Sequence, residues 1–128
     1  MAAVVRILLE GGELLARLDD SPTALAIEEA LPLEGVANRW GDEVYFTIPV
    51  RVEEAPDARQ DMSVGELGYW PAGAAFCIFF GLTPASIGSL PRACSNVNPF
   101  GRIEAGEDVV KEALSKVGEG ERVRVVVA

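Results

Sequence analysis

The chain has 128 residues and 13.6 kDa, with 20 Asp and Glu against 11 Lys and Arg, a formal net charge of −9 and no histidine. That length supports one domain, residues 1–128, with its own core, while the lack of imidazole removes Ser-His-Asp and Cys-His triads, HExxH zinc sites and a histidine pH switch. An acidic field without a basic cluster argues against nucleic acid, and no apolar run nears the roughly 20 residues that span a bilayer, so the expectation is a cytoplasmic protein without membrane or metal partners.

Residues from Ala3 to Glu10 alternate, with Val5, Ile7 and Leu9 on one face; Gly11-Gly12 is a hairpin signal, and Leu14, Ala16 and Leu18 alternate again. Ser21-Pro22 then reads as an N-cap followed by proline in the first helical turn, with Ala24, Ile27 and Leu31 at helical spacing and Pro32 as the stop. A looser strand carries Val36 and Asn38, and Gly41-Asp42 is a turn. Val44, Phe46, Ile48 and Val50 share the next strand face, where Pro49 marks an edge or a bulge. Residues 53 to 61 are polar and read as a surface loop.

Val64 to Trp70, Pro71-Ala72-Gly73 and Ala74 to Phe80 form a second hairpin pattern. Its latter arm is apolar on both faces, which predicts a central strand covered on each side. Gly81 to Asn96 reads as a long loop rich in Gly, Pro and Ser. A strand through Phe100 follows, and then a helix from about Glu107 to Val117 with Val110, Ala113, Leu114 and Val117 inward and Gly118 as its cap. Val123, Val125 and Val127 face inward on the last strand. Cys77 and Cys94 have no CxxC spacing; they read as small buried apolar residues, or as a disulfide closing a loop of roughly 16 residues, which in a reducing compartment points to a thermophile.

The sum is a mainly β fold of about eight strands, with one helix after the second strand and another before the last. An apolar β majority with two helices predicts a closed β-barrel whose ends the helices cap.

Asn98-Pro99-Phe100-Gly101-Arg102-Ile103, followed by Gly106-Glu107-Asp108-Val109-Val110-Lys111, resembles the late strand-to-helix segment of cyclophilins, the peptidyl-prolyl isomerases. Trp40 to Phe46, Val64 to Gly73 and Cys77 to Pro84 resemble a narrower group, small prokaryotic cyclophilin-like proteins of unknown function. The resemblance runs from about Val4 to the C-terminus and implies a cyclophilin-like barrel. Counting back from Phe100, the places of the cyclophilin pocket tryptophan and histidine hold Arg92 and Val97.

Prolyl isomerisation needs an apolar slot and a donor, usually arginine, that favours a twisted amide. Arg39 and Arg51 are the candidate donors, and Glu43 is a candidate acceptor or base in the dense cluster Arg39-Trp40-Gly41-Asp42-Glu43. Trp40, Tyr45, Tyr69 and Trp70 sit beside Gly and Pro turns where amphipathic rings line clefts, and Asn98 and Phe100 complete the ligand-binding candidates. The expected function is binding of a peptide or small molecule in a cleft formed by Arg39, Trp40, Glu43, Tyr45 and the Gly81–Asn98 loop, with weak or absent isomerase activity and no cofactor. A genuine isomerase, a small-metabolite enzyme and a non-enzymatic subunit are the alternatives, and a homo-oligomer is compatible with each. The small-metabolite reading requires Glu43 in a cavity with a raised pKa.

Overall fold

A computed structural model describes residues 3–128. Its strands are β1 (Val4–Leu9), β2 (Gly12–Leu18), β3 (Leu33–Val36), β4 (Asn38–Arg39), β5 (Glu43–Thr47), β6 (Arg59–Asp61), β7 (Glu66–Trp70), β8 (Ala75–Phe79), β9 (Arg92–Ile103) and β10 (Arg122–Val127). Two helices, α1 (Pro22–Ala30) and α2 (Glu107–Ser115), fall where the sequence places them, after β2 and before β10. All strand pairs are antiparallel, in the order β3-β10-β1-β2-β9-β7-β8-β5-β4, with β6 added on β9. The fold is therefore mainly β, with ten strands among the described residues rather than about eight.

Local sequence accounts for most boundaries. Ser21 caps α1 by accepting a hydrogen bond from the Ala24 N–H, and Pro22 occupies the first turn, where a missing donor costs nothing. β5 stops at Thr47, before Pro49; Ile48 and Val50 nevertheless stay buried. In β8 all five residues are buried, as its two-sided apolarity predicts. Phe46, Phe76, Ile78 and Phe100 join the main core, with Phe46 stacked on Phe76 at 5.0 Å and Phe100 edge-on to Phe76 at 5.0 Å. The other face of β8, through Ala75, Cys77 and Phe79, packs on Met62, Ala93 and Val97. The outer face of that strand thus has its own small core, built from the start of β9 and the residue after β6.

Several expectations differ from the structure. Val127 is exposed: of the three, only Val123 and Val125 reach the core from β10. α2 ends at Ser115 with Lys116 as a right-handed cap, so Gly118 does not terminate it. Residues 59 to 61, read as loop, pair with β9, and the expected loop from Gly81 is shortened because β9 begins at Arg92. Both thiols are free: Cys77 is buried and Cys94 is exposed.

The expected closed barrel is not sealed by hydrogen bonds. β3 and β4 are the two ends of the pairing path, and among the described residues no ladder joins them. They are joined by the chain itself. Only Ala37 separates them; it is fully buried, its N–H donates to the Glu121 carbonyl at 2.7 Å, and its carbonyl accepts from Gly120 at 2.9 Å. Across the same seam a Cβ on Gly35 would sit 2.7 Å from the Phe46 ring, so only glycine lets β3 pack this close to β5. Helix α1 buries Ala24 and Ile27, and α2 buries Val110 and Leu114, in the main core. Among the described residues no helix is long and apolar enough to cross a membrane.

Candidate functional site

On the outer face of β5, alternation puts Glu43 and Tyr45 on the side opposite Val44 and Phe46. Cross-strand pairing sets Glu43 against Phe79 and Tyr45 against Cys77 of β8. Trp70 ends β7, and β9 passes over this face with Ala93, Cys94 and Val97. Together Trp40, Glu43, Tyr45, Trp70, Ala93, Cys94 and Val97 line a cavity of about 140 Å³. Its walls are mostly aromatic and aliphatic, and none of the seven residues is Lys or Arg.

The rings are held in place. Tyr45 and Trp70 meet edge to face, with centroids 6.4 Å apart and planes at 80°. Trp70 Nε1 donates to Ser95 Oγ at 2.7 Å, tying the indole to β9. Beneath it, a Cβ on Gly73 would lie 2.4 Å from the ring, so the turn after β7 is shaped around the indole. Trp40 is set by a tight turn: its N–H donates to the Glu43 carbonyl at 3.0 Å, and Gly41 takes φ of 59°. A Cβ on Gly41 would lie 2.9 Å from Thr83 Cα and Pro84 Cδ, which locks this turn to the loop after β8.

Glu43 is the chemical feature of the cavity. It is 6% exposed, and burial pushes its carboxyl from the ordinary 4.5 up to about 7, with a hydrogen bond from the Cys77 thiol acting in the opposite direction. That thiol has two acceptors, the Ala75 carbonyl at 3.8 Å and the Glu43 carboxyl. Burial, followed by the nearby Glu43, holds the Cys77 thiol itself well above its usual range. The Tyr45 hydroxyl is raised as well, chiefly by burial and then by Glu43. A carboxyl that changes charge near neutrality can donate, accept or exchange a proton with whatever occupies the space.

The remaining sequence candidates lie elsewhere. Arg39 spans the end of α2: Nη1 donates to the Val117 carbonyl at 2.8 Å, Nε and Nη2 donate to the Gly41 carbonyl, and the guanidinium lies 5.0 Å from the Phe80 ring centre. Arg51 is exposed on an irregular segment and does not line the cavity. Tyr69 is buried, with its hydroxyl donating to the Val50 carbonyl at 2.6 Å and accepting from the Val52 N–H. Asn98 is fully buried: its amide donates to Thr23 Oγ1 and the Glu53 carbonyl, and its oxygen accepts from Ala55 N–H at 2.7 Å. Phe100 is in the main core.

The sequence assigns the Gly81–Asn98 stretch to the cleft only as a loop; the structure brings Ala93, Cys94 and Val97 of that stretch to the cavity on strand β9, and none of the three stood out individually. Their strand lacks alternation, with three successive exposed residues from Cys94 to Asn96, and its partner β6 is only three residues long. The one available signal is Arg92-Ala93-Cys94 resuming small and apolar residues after the Gly- and Pro-rich stretch. Among the described residues no three His, Cys, Asp or Glu side chains converge to hold a metal.

Comparison with known proteins places this arrangement. The solution structure of the hypothetical protein AF2241 from Archaeoglobus fulgidus superposes with a TM-score of 0.80 at 38% identity, over 99% of this chain and 95% of that one. McbB, solved in complex with tryptophan, superposes with a TM-score of 0.70 at 16% identity, over 96% of this chain but 44% of its own, and so shares the fold alone. No curated protein matches. The family model described as cyclophilin-like matches residues 3–126, and the chain belongs to that family.

Proposed function

We propose that this protein binds a compact small molecule in the cavity between β5, β7 and β9, and that Glu43 exchanges a hydrogen bond or a proton with it. In this reading the rolled sheet acts as a barrel, its seam closed by packing at Gly35, and the site lies on its outer face. The observation that carries the proposal is a buried carboxyl of pKa about 7 facing a preorganised cavity walled by three aromatic rings. Size narrows the ligand. At about 140 Å³ the space compares with engineered apolar cavities of ~150 Å³ that hold benzene, and falls below the ~300 Å³ of ordinary drug-sized pockets. A stretch of peptide needs more room.

Weak or absent isomerase activity follows from the same lining. A twisted prolyl amide needs a cationic donor beside its apolar slot, and both candidate arginines are placed away from this cavity, with Arg39 bonded to three backbone carbonyls. Two measurements test the reading. In two-dimensional NMR, a panel of compact apolar fragments should shift the indole resonances of Trp40 and Trp70 before others. In a protease-coupled assay, a proline peptide should isomerise at the background rate. Fragment shifts centred elsewhere, or turnover lost in Arg39→Ala or Arg51→Ala, refute it.

A further inference from the structure

We propose that the ligand of this cavity bears a small alkylated ammonium group, held by the rings of Trp40, Tyr45 and Trp70 and neutralised by the Glu43 carboxylate. The inference rests on the reading of the cavity as a ligand site and names its chemical class. Three observations carry it.

The first is the ring arrangement. Tyr45 and Trp70 stand nearly at right angles, with Trp40 as a further wall, so the space has aromatic groups on several sides. Ring quadrupoles attract a cation, and assemblies of several rings are the usual protein receptacle for methylated ammonium. Such a group is strongly attracted because its alkyl shell is weakly hydrated, so little water must be stripped from it. The rings are also preorganised by the Trp70–Ser95 hydrogen bond and the close fit of Gly73, which limits the ordering cost on binding.

The second is the missing counter-charge. A carboxylate this buried needs a positive partner or it takes up a proton. The titratable groups about Glu43 are the Cys77 thiol from β8, which hydrogen-bonds it, and Tyr45 on its own strand, while Cys94 from β9 shares the cavity wall. None is cationic, and the guanidinium of Arg39 is committed to the end of α2. An incoming ammonium supplies what the protein omits. The third is the long-range field: a net charge of −9 draws small cations towards the surface and repels anions.

The test uses two molecules of almost the same shape, choline and its uncharged analogue 3,3-dimethylbutan-1-ol, titrated at pH 8.5 against the intrinsic fluorescence of Trp40 and Trp70, the two tryptophans of the chain. Choline should bind at least tenfold more tightly than the alcohol. Glu43→Gln should remove most of that preference by weakening choline far more than the alcohol, and lowering the pH to 5 should do the same in the wild type. A short peptide carrying trimethyllysine decides whether the group arrives on a free molecule or on a side chain; binding of either supports the class. Equal affinity for choline and the alcohol overturns the ammonium inference and leaves the cavity as a ligand site. If neither molecule alters fluorescence or slows modification of Cys94 at the cavity wall, the ligand site itself is refuted.

Discussion

Glu43→Gln tests the electrostatics of the cavity without any ligand. In the native state the carboxyl has a pKa of about 7, against 4.5 when solvated, so the folded protein holds this proton more tightly than the unfolded chain. The native state therefore gains from the protonated group at low pH, and that gain is lost as pH rises from 4.5 to about 7. At 1.36 kcal/mol per pH unit the displacement corresponds to about 3 kcal/mol. Glutamine has nearly the same shape and never ionises. The variant and the wild type should thus be close in stability at pH 4.5 and diverge above it, with the variant more stable by about 3 kcal/mol at pH 8, or roughly 10 °C in Tm for a chain of this size. Urea unfolding at pH 4.5, 6 and 8 with a common m-value measures the difference directly. Other carboxylates titrate equally in both proteins and cancel. A gap between wild type and variant that stays constant with pH refutes the assignment of a carboxyl buried without a counter-charge.

Asn98→Ala deletes a fully buried amide and leaves the Ala55 N–H and the Glu53 carbonyl without their partners; it should cost roughly 3 kcal/mol in chemical denaturation. Arg39→Ala removes the bonds to the Ser115 carbonyl that ends α2 and to the Val117 carbonyl just beyond it, together with the contact over Phe80, and should cost about 2 kcal/mol, while fragment binding in the cavity persists. Ellman's reagent should titrate one thiol in the native protein, Cys94, and two in denaturant, because Cys77 is fully buried and its thiolate is disfavoured. A native count of two shows that the cover formed by β9 over β8 opens readily.

The alternation of Val5, Ile7 and Leu9, the Ser21-Pro22 helix start, the two-sided apolarity of residues 75 to 79 and the inward stripe of α2 could all be read along the chain, because each depends on neighbours within a few residues. The same local signals brought Trp40, Glu43, Tyr45 and Trp70 to notice, three of them by their place at turns. What the sequence left undetermined is how distant segments meet. Arg39 and Glu43 belong to one charged cluster in the chain, yet strand alternation and a glycine turn send the arginine to the end of α2 and the carboxyl into a cavity. Tyr69 and Trp70 are adjacent, and the pleat turns one into the core and the other onto the outer face. The cavity exists because β9 runs past the edge of the main core and lays Ala93, Cys94 and Val97 across β8, a placement set by pairing with β7 and β6. The carboxyl's raised pKa follows from that cover. Burial by segments some fifty residues away is a property of the tertiary structure, and no local pattern encodes it.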